Sequence, residues 1–217
     1  MELILVRHGE PAWELEGRGR NDPNLTERGH SQATAMARRL ADPADHPAPG
    51  RVERLIVSPA QRAQETAAPV AEALAMEAET EPWLLEIQNP PEFEGSPIED
   101  IQEVFQTART RPRAEAWDGL PGGEPVGDFH ERVTRGLLGW LADQGVTPTE
   151  EPGLWEVADG APERVVAVAH AGTNSTIIAR LLDVAHQPWD WDRFAMGHAS
   201  VAVLTTVPMA GAHLWSL

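Results

Sequence analysis

One stretch near the start of the chain limits the possible folds more than any other. Leu3-Ile4-Leu5-Val6 is a short apolar run, and Arg7-His8-Gly9-Glu10 follows it directly. Four apolar residues closed by a glycine predict a buried strand that runs into a tight turn. In an open α/β sheet, ligands collect beyond the C-terminal ends of such strands. Arginine there offers a planar fork of donors for phosphate oxygens. Histidine offers a nitrogen that can attack phosphorus or move a proton. Gly9 lets the backbone bend close to a ligand.

The same pattern recurs along the chain. Residues 11–25 carry Pro11, Gly17, Gly19, Asn21, Asp22 and Pro23 and read as a loop, with Arg18 and Arg20 in it as candidate anion ligands. Thr26 is an N-cap for a helix to about residue 40, and a Pro-rich surface connection follows at 42–51. Residues 52–57 predict a second buried strand. Ser58 is expected to cap the next helix with Pro59 in its first position, Arg62 in its first turn, and a kink or break at Pro69. A short strand is expected at 77–80 and a helix at 98–110. Pro121-Gly122-Gly123 reads as a turn before a helix from Glu124 to about residue 143. The acidic, Pro- and Gly-bearing residues 145–163 read as an exposed insertion pinned by Leu154-Trp155. A third strand at 164–169 ends in His170-Ala171-Gly172, with a helix from about 173 to 182. Strands at 200–207 and 212–217 follow, the last on an edge.

Three predicted strand ends therefore carry related chemistry: Arg7-His8-Gly9, the lead into Arg62, and His170-Ala171-Gly172. A parallel sheet brings its C-terminal strand ends to one side. Two His and two Arg then converge, and the helix after Gly172 aims its free N–H groups at the same place. That is a dianion pocket with a nucleophile in it.

Composition narrows what could occupy it. The 217 residues suit a single domain, 1–217, and the formal net charge of −17 argues against nucleic acid or an anionic membrane as partner. With no Cys there is no disulfide framework, and no His/Asp/Glu spacing suggests a tight metal site. No apolar run approaches the roughly 20 residues of a membrane span. With no signal-like segment in view, the expectation is a cytoplasmic protein. All 17 basic residues are Arg. In so acidic a chain, a phosphate site needs a local concentration of them. His30, His46, His130, His186 and His213 are expected to be structural or solvated, while His198, just before a strand, is a candidate to line the pocket.

The ordered set Arg7-His8-Gly9-Glu10, Leu25-Thr26-Glu27-Arg28-Gly29, Ser58-Pro59-x-x-Arg62-Ala63-x-x-Thr66-Ala67, Glu86, Gly122-Gly123-Glu124 and His170-Ala171-Gly172 resembles the histidine phosphatase superfamily, the phosphoglycerate-mutase-like proteins. The resemblance covers nearly the whole chain. It implies an α/β fold, a three-layer αβα sandwich with a mostly parallel central sheet. It makes His8 a nucleophile that becomes phosphorylated and Glu86 the proton donor to the leaving oxygen. Arg7, Arg62 and His170 hold the phosphoryl oxygens, with Ala171 at the helix start beside them. The implied activity is phosphomonoester hydrolysis on a small phosphorylated metabolite, without cofactor. A cofactor-dependent phosphoglycerate-type mutase and a non-catalytic phospho-ligand-binding domain are the alternatives, and homo-oligomerisation stays open. Several positions depart from the family pattern: Pro11 where Thr or Ser is common, Glu14 where Asn is common, Ala171 where Gly is usual, and Pro-Pro-Glu-Phe-Glu-Gly after Glu86. The Pro11 and Glu14 departures favour hydrolysis. The altered stretch after Glu86 leaves Glu92 and Glu94 as competitors for the acid role.

Overall fold

A computed structural model describes residues 1–42 and 51–217. The chain runs through β1 (Glu2–Arg7), a small hairpin of β2 (Glu14–Leu15) and β3 (Arg18–Gly19), α1 (Glu27–Ala41), β4 (Arg54–Val57), α2 (Gln61–Leu74) and β5 (Glu79–Thr80). Two 3-10 turns, Pro82–Leu84 and Pro91–Phe93, lead to α3 (Ile98–Arg109), α4 (Arg113–Ala116) and α5 (Val126–Asp143). Then come β6 (Val146–Pro148), β7 (Trp155–Val157), β8 (Arg164–Ala169), α6 (Ala171–Leu181), α7 (Asp190–Arg193), β9 (Val201–Met209) and β10 (Ala212–Ser216). Apart from its two ends, the Pro-rich connection expected at 42–51 lies outside the described residues. No described helix is long and apolar enough to cross a membrane.

The main sheet has the order β5-β4-β8-β1-β9-β10-β7-β6. Its first four strands are parallel, and the other four join antiparallel. The parallel part expected from the sequence is thus one half of a mixed sheet. β1 and β8 are buried along almost their whole length, as their unbroken apolar runs require. Their side chains alternate between two cores. Leu3, Leu5, Val165 and Ala167 face Phe129, Val133 and Leu137 of α5 and Ile177 of α6. Ile4, Val6, Val166 and Val168 face Met36 and Leu40 of α1 and Ala63, Ala67 and Val70 of α2. Helices cover both faces, and each large aliphatic side chain so buried contributes about 1.5–3 kcal/mol.

The structure corrects several local expectations. α2 starts at Gln61 with Ala60 as its N-cap, not at Ser58: the Ser58 oxygen accepts from Ala60 N–H at 3.4 Å, an amide ahead of the helix, while its hydroxyl lies 2.7 Å from His170 Nε2. α2 also continues through Pro69 rather than splitting there, since its buried face (Ala63, Thr66, Ala67, Val70) runs across the proline and packs on α1 and the sheet. α5 starts at Val126 after Pro125, which leaves the Glu124 carboxylate free to bind Arg132. β10 is not an edge strand, because β7 pairs with its outer side. The segment expected as an exposed insertion supplies that pairing: residues 145–163 hold β6 and β7, which extend the sheet. Val146 and Trp155 are buried, and Trp155 meets the Trp215 ring edge-to-face with centroids 6.3 Å apart. Turn residues and acidic side chains dominate this hairpin and conceal its two anchors.

Burial of Trp155 makes the hairpin part of the core. Trp155→Ala is expected to lower the unfolding free energy by about 3–5 kcal/mol, the range for buried aromatic truncations. Urea unfolding measures it; a variant with wild-type stability would mean that the hairpin is an appendage.

Candidate active site

The register of the parallel strands assembles the site. Glu2 lies across from Arg164 and Arg7 across from Ala169, so the next residues, His8 and His170, leave the sheet side by side. His8 N–H donates to Ala169 O at 3.0 Å, and the two imidazole centroids are 5.1 Å apart. On the far side of β8, Ser58 N–H donates to Val168 O, which carries the Ser58 hydroxyl to His170. α2 then begins at once and brings Arg62 in its first turn.

His8 is 3% exposed. Its Nδ1 lies 2.7 Å from Gly9 O, and a carbonyl oxygen only accepts, so Nδ1 carries the proton and Nε2 keeps a free lone pair. Burial holds the imidazole at a pKa of about 3, with Arg62, Arg7 and His198 adding to the effect and the Gly9 bond opposing it. The ring is therefore neutral and nucleophilic across the physiological range. The turn beneath it has no slack. A Cβ on Gly9 would lie 2.5 Å from Gly29 O, and one on Gly29 2.2 Å from Glu10 O. The start of α1 thus packs backbone against backbone on this turn, with Thr26 Oγ1 as N-cap accepting from Gly29 N–H. On the other side, Gly9 N–H donates to Thr66 Oγ1 of α2.

Two guanidiniums flank His8. Arg7 donates to Met196 O and, at 3.1 Å, to His198 Nε2, while its Nε has no protein partner. Arg62 is 5% exposed, lies 3.4 Å from Asp22 Oδ1, and sits beneath the Trp13 ring with Cζ 4.9 Å from the centroid. Its Nε is also unpartnered and buried. His170 is fully buried, with Nε2 bonded to Ser58 and Nδ1 unpartnered; burial, followed by Arg62, His8 and Arg7, holds its pKa well below the usual value. Buried donors are rarely left unpaired, so these free groups fit an anion in the pocket. For His170 Nδ1 to donate to that anion, Ser58 must donate to Nε2, which makes Ser58 a positioning residue. Ala171 opens α6, where the first amides have no intrahelical partner.

Glu86 meets the same helix start. Gly172 N–H donates to Oε2 at 2.9 Å and Ile87 N–H to Oε1 at 3.1 Å. A Cβ on Gly172 would fall 2.5 Å from Oε1, so glycine is what permits this approach. Burial raises the Glu86 pKa, outweighing the two amides and the charges of Arg62 and Arg7. The backbone behind it is clamped: Arg132 of α5 donates to Trp83 O, Leu85 O and Glu86 O, and the Glu124 carboxylate grips Arg132 at both Nε and Nη2, each at 2.9 Å. The competing carboxylates are occupied elsewhere. Glu94 pairs with Arg20 and accepts from Asn21 N–H, which holds its pKa down, and exposed Glu92 lies against Gly122. Arg18 donates to Gly95 O. Arg18 and Arg20 therefore tie the 11–25 loop to the segment around Glu94.

Arg7, His8, Arg62, Glu86 and His170 thus come together as the sequence expectation had them, and His198 joins them with its ring centroid 5.9 Å from that of His8. The sequence reading missed Ser58, Arg132 and Glu124 as supporting residues. The only sequence signal for the last was its place in Gly122-Gly123-Glu124.

The chain resembles known proteins in sequence and in fold. The mycobacterial glucosyl-3-phosphoglycerate phosphatase in complex with VO3 superposes with a TM-score of 0.71 at 26% identity, covering 99% of this chain and 96% of that one. Phosphoserine phosphatase 1 of Hydrogenobacter thermophilus is 33% identical over 141 residues, 64% of this chain and 63% of the relative. The protein named "Probable phosphoglycerate mutase GpmB" of Yersinia enterocolitica is 29% identical over 140 residues, 63% of this chain and 61% of the relative. The match thus spans about three fifths of the length of these curated relatives. The family model for the histidine phosphatase superfamily (branch 1) matches residues 3–212, and the chain belongs to that superfamily.

Proposed function

We propose that the protein is a phosphomonoester hydrolase that acts on a small phosphorylated metabolite through a phosphohistidine at His8. The observation that carries this reading is the state of His8: buried, neutral, its Nδ1 proton locked on Gly9 O, and its Nε2 lone pair beside two guanidiniums and a carboxyl group of raised pKa. The names of the relatives, phosphoserine and glucosyl-3-phosphoglycerate phosphatases, supply the substrate class.

In the first half-reaction, His8 Nε2 attacks phosphorus and a P–N bond forms as the ester P–O bond breaks. The leaving oxygen takes the proton of Glu86. Arg7, Arg62, His170 and the α6 amides neutralise charge on the three equatorial oxygens, where phosphoryl transfer needs most help. In the second half-reaction, water attacks the phosphoryl group and gives its proton to the Glu86 carboxylate. The P–N bond breaks, its electron pair returns to Nε2, and phosphate leaves. The opposite pKa shifts suit these roles: His8 is a base kept free of its proton and Glu86 an acid helped to keep one.

Three outcomes are expected. His8→Ala should abolish turnover and the acid-labile, alkali-stable phosphoenzyme seen on rapid quench; a phosphoenzyme persisting in that variant would show that another residue is the nucleophile. With 3-phosphoglycerate and its bisphosphate primer, phosphate release should outrun isomer exchange. Fast primer-dependent exchange without release would make the protein a mutase.

Glu86→Gln should lower the rate on alkyl phosphates by about 10²–10⁴-fold, the usual worth of a positioned acid, and lower it far less on p-nitrophenyl phosphate, whose leaving group needs little proton. The pH dependence carries the sign. Phosphorylation needs His8 neutral, which holds above about pH 3, and Glu86 protonated, which holds only below its raised pKa. On alkyl phosphates the wild-type rate relative to Glu86→Gln should therefore be largest at the acid end of the range and fall as pH rises through that raised pKa. Taking the ratio at each pH cancels the substrate's own ionisation. A pH-independent ratio would remove Glu86 from the acid role.

A further inference from the structure

One polar cluster lies outside the phosphate pocket. His130 is on the second turn of α5, His186 is in the loop after α6, and Asp190 opens α7. His130 is buried, and neither ring nitrogen has a hydrogen-bond partner. An imidazole enclosed with both nitrogens unused is rare, because buried polar atoms are nearly always paired. The His186 ring lies 4.7 Å from it, centroid to centroid, and His186 Nδ1 is 3.5 Å from Asp190 Oδ2. Asp190 is 1% exposed and is aimed by the Gln187 N–H, which donates to Oδ2 at 3.0 Å. One ligand atom from each of the three residues lies within 4.8 Å of the other two.

We infer that His130, His186 and Asp190 form a binding site for one zinc ion, with a water in the fourth position. Two imidazoles and a carboxylate are a zinc donor set, whereas magnesium and calcium call for oxygen cages. Ligands about 2.0–2.2 Å from a tetrahedral ion sit roughly 3.4 Å from one another, so the widest pair needs to close by up to about 1.4 Å. His186, on a loop and only partly buried, can make that movement and leaves a side open for water. Both imidazoles are held in the neutral, ligating form by burial, His130 at a pKa of about 4. The competing cation is Arg193, 3.4 Å from Asp190 Oδ1, whose partly exposed side chain can turn outward when the ion enters. Arg180 also acts on His186 from α6 and works against the ion at longer range. Once bound, zinc fastens α7 to α5. The chain leaving α7 runs directly to Met196 and His198, the two partners of Arg7. The sequence expectation of no metal site rested on spacing, and only His186-x-x-x-Asp190 is close in sequence; His130 arrives from another helix.

The test is titration of the chelator-treated, full-length protein with Zn²⁺ alone, read by calorimetry and by thermal unfolding, with Co²⁺ absorption as a report on coordination. One ion per chain at micromolar or tighter affinity, a raised Tm and a tetrahedral Co²⁺ spectrum are expected. His186→Ala, at a partly exposed position that the fold tolerates, should weaken binding by more than the roughly 10–100-fold typical of outer-shell changes. His130→Gln, Asp190→Asn and the thermal shift itself should follow the same order. The histidines of the phosphate pocket are the alternative ligands. A bound ion lost in His8→Ala but retained in His186→Ala would overturn the assignment, and so would the absence of binding at micromolar Zn²⁺.

Discussion

The parallel hydrogen-bond register between β1 and β8 is the constraint on which the rest of the site depends. It sets Arg7 against Ala169 and so delivers His8 and His170 to neighbouring positions beyond the sheet. Side chains alternate along a strand, and a slip of one residue would turn Leu3 and Leu5 toward the α1–α2 core and Ile4 and Val6 toward the α5–α6 core. Because both faces are packed, two cores oppose that slip at once. The fold therefore fixes the spacing of the two imidazoles with the hydrogen bonds of two buried strands, and the loops add the surrounding groups.

Electrostatics inside the pocket follow from burial in a chain of opposite sign. The molecule carries a formal charge of −17, yet its pocket presents two arginines and helix amides. Their field and the loss of water act in the same direction on His8 and His170, and in opposite directions on Glu86. For the carboxyl group, burial prevails. The nucleophile and the acid of the proposed reaction thus have their proton affinities moved apart by one environment. Arg132 and Glu124 contribute by geometry: their paired hydrogen bonds hold the peptide oxygens of residues 83–86, so the carboxylate at the end of that segment approaches α6 from a fixed direction.

Much of this was legible in the sequence where chemistry coincides with a strand end. Arg7, His8, Arg62 and His170 sit next to apolar runs, and a parallel sheet must gather such ends on one side. Glu86 has no such signature; it follows a 3-10 turn, and only the family resemblance singled it out. Ser58 was read as a helix cap because Ser-Pro begins many helices; its contact with His170, 112 positions away, has no local signature. The antiparallel half was hidden for another reason. β6 and β7 are three residues each, and one buried residue in each, Val146 and Trp155, does the anchoring that a periodic strand would otherwise announce. His130 and His186 are 56 positions apart, and no local pattern reports a contact between two helix-bearing segments at that separation.

The contact of Gly9 with Gly29 gives α1 a mechanical part in placing His8. At 15 residues α1 is a rod of about 20 Å, seated along one side on Met36 and Leu40 and ending, at its N-terminus, against the peptide that carries His8. With no side chain between the two backbones to absorb a displacement, a tilt at the far end of the rod becomes a translation of His8 Nε2. A reacting atom misplaced by about 1 Å can cost roughly 10²-fold in rate. Under the proposed reaction, the rate would then depend, like the tip of a lever, on how well a distant hydrophobic seat is filled.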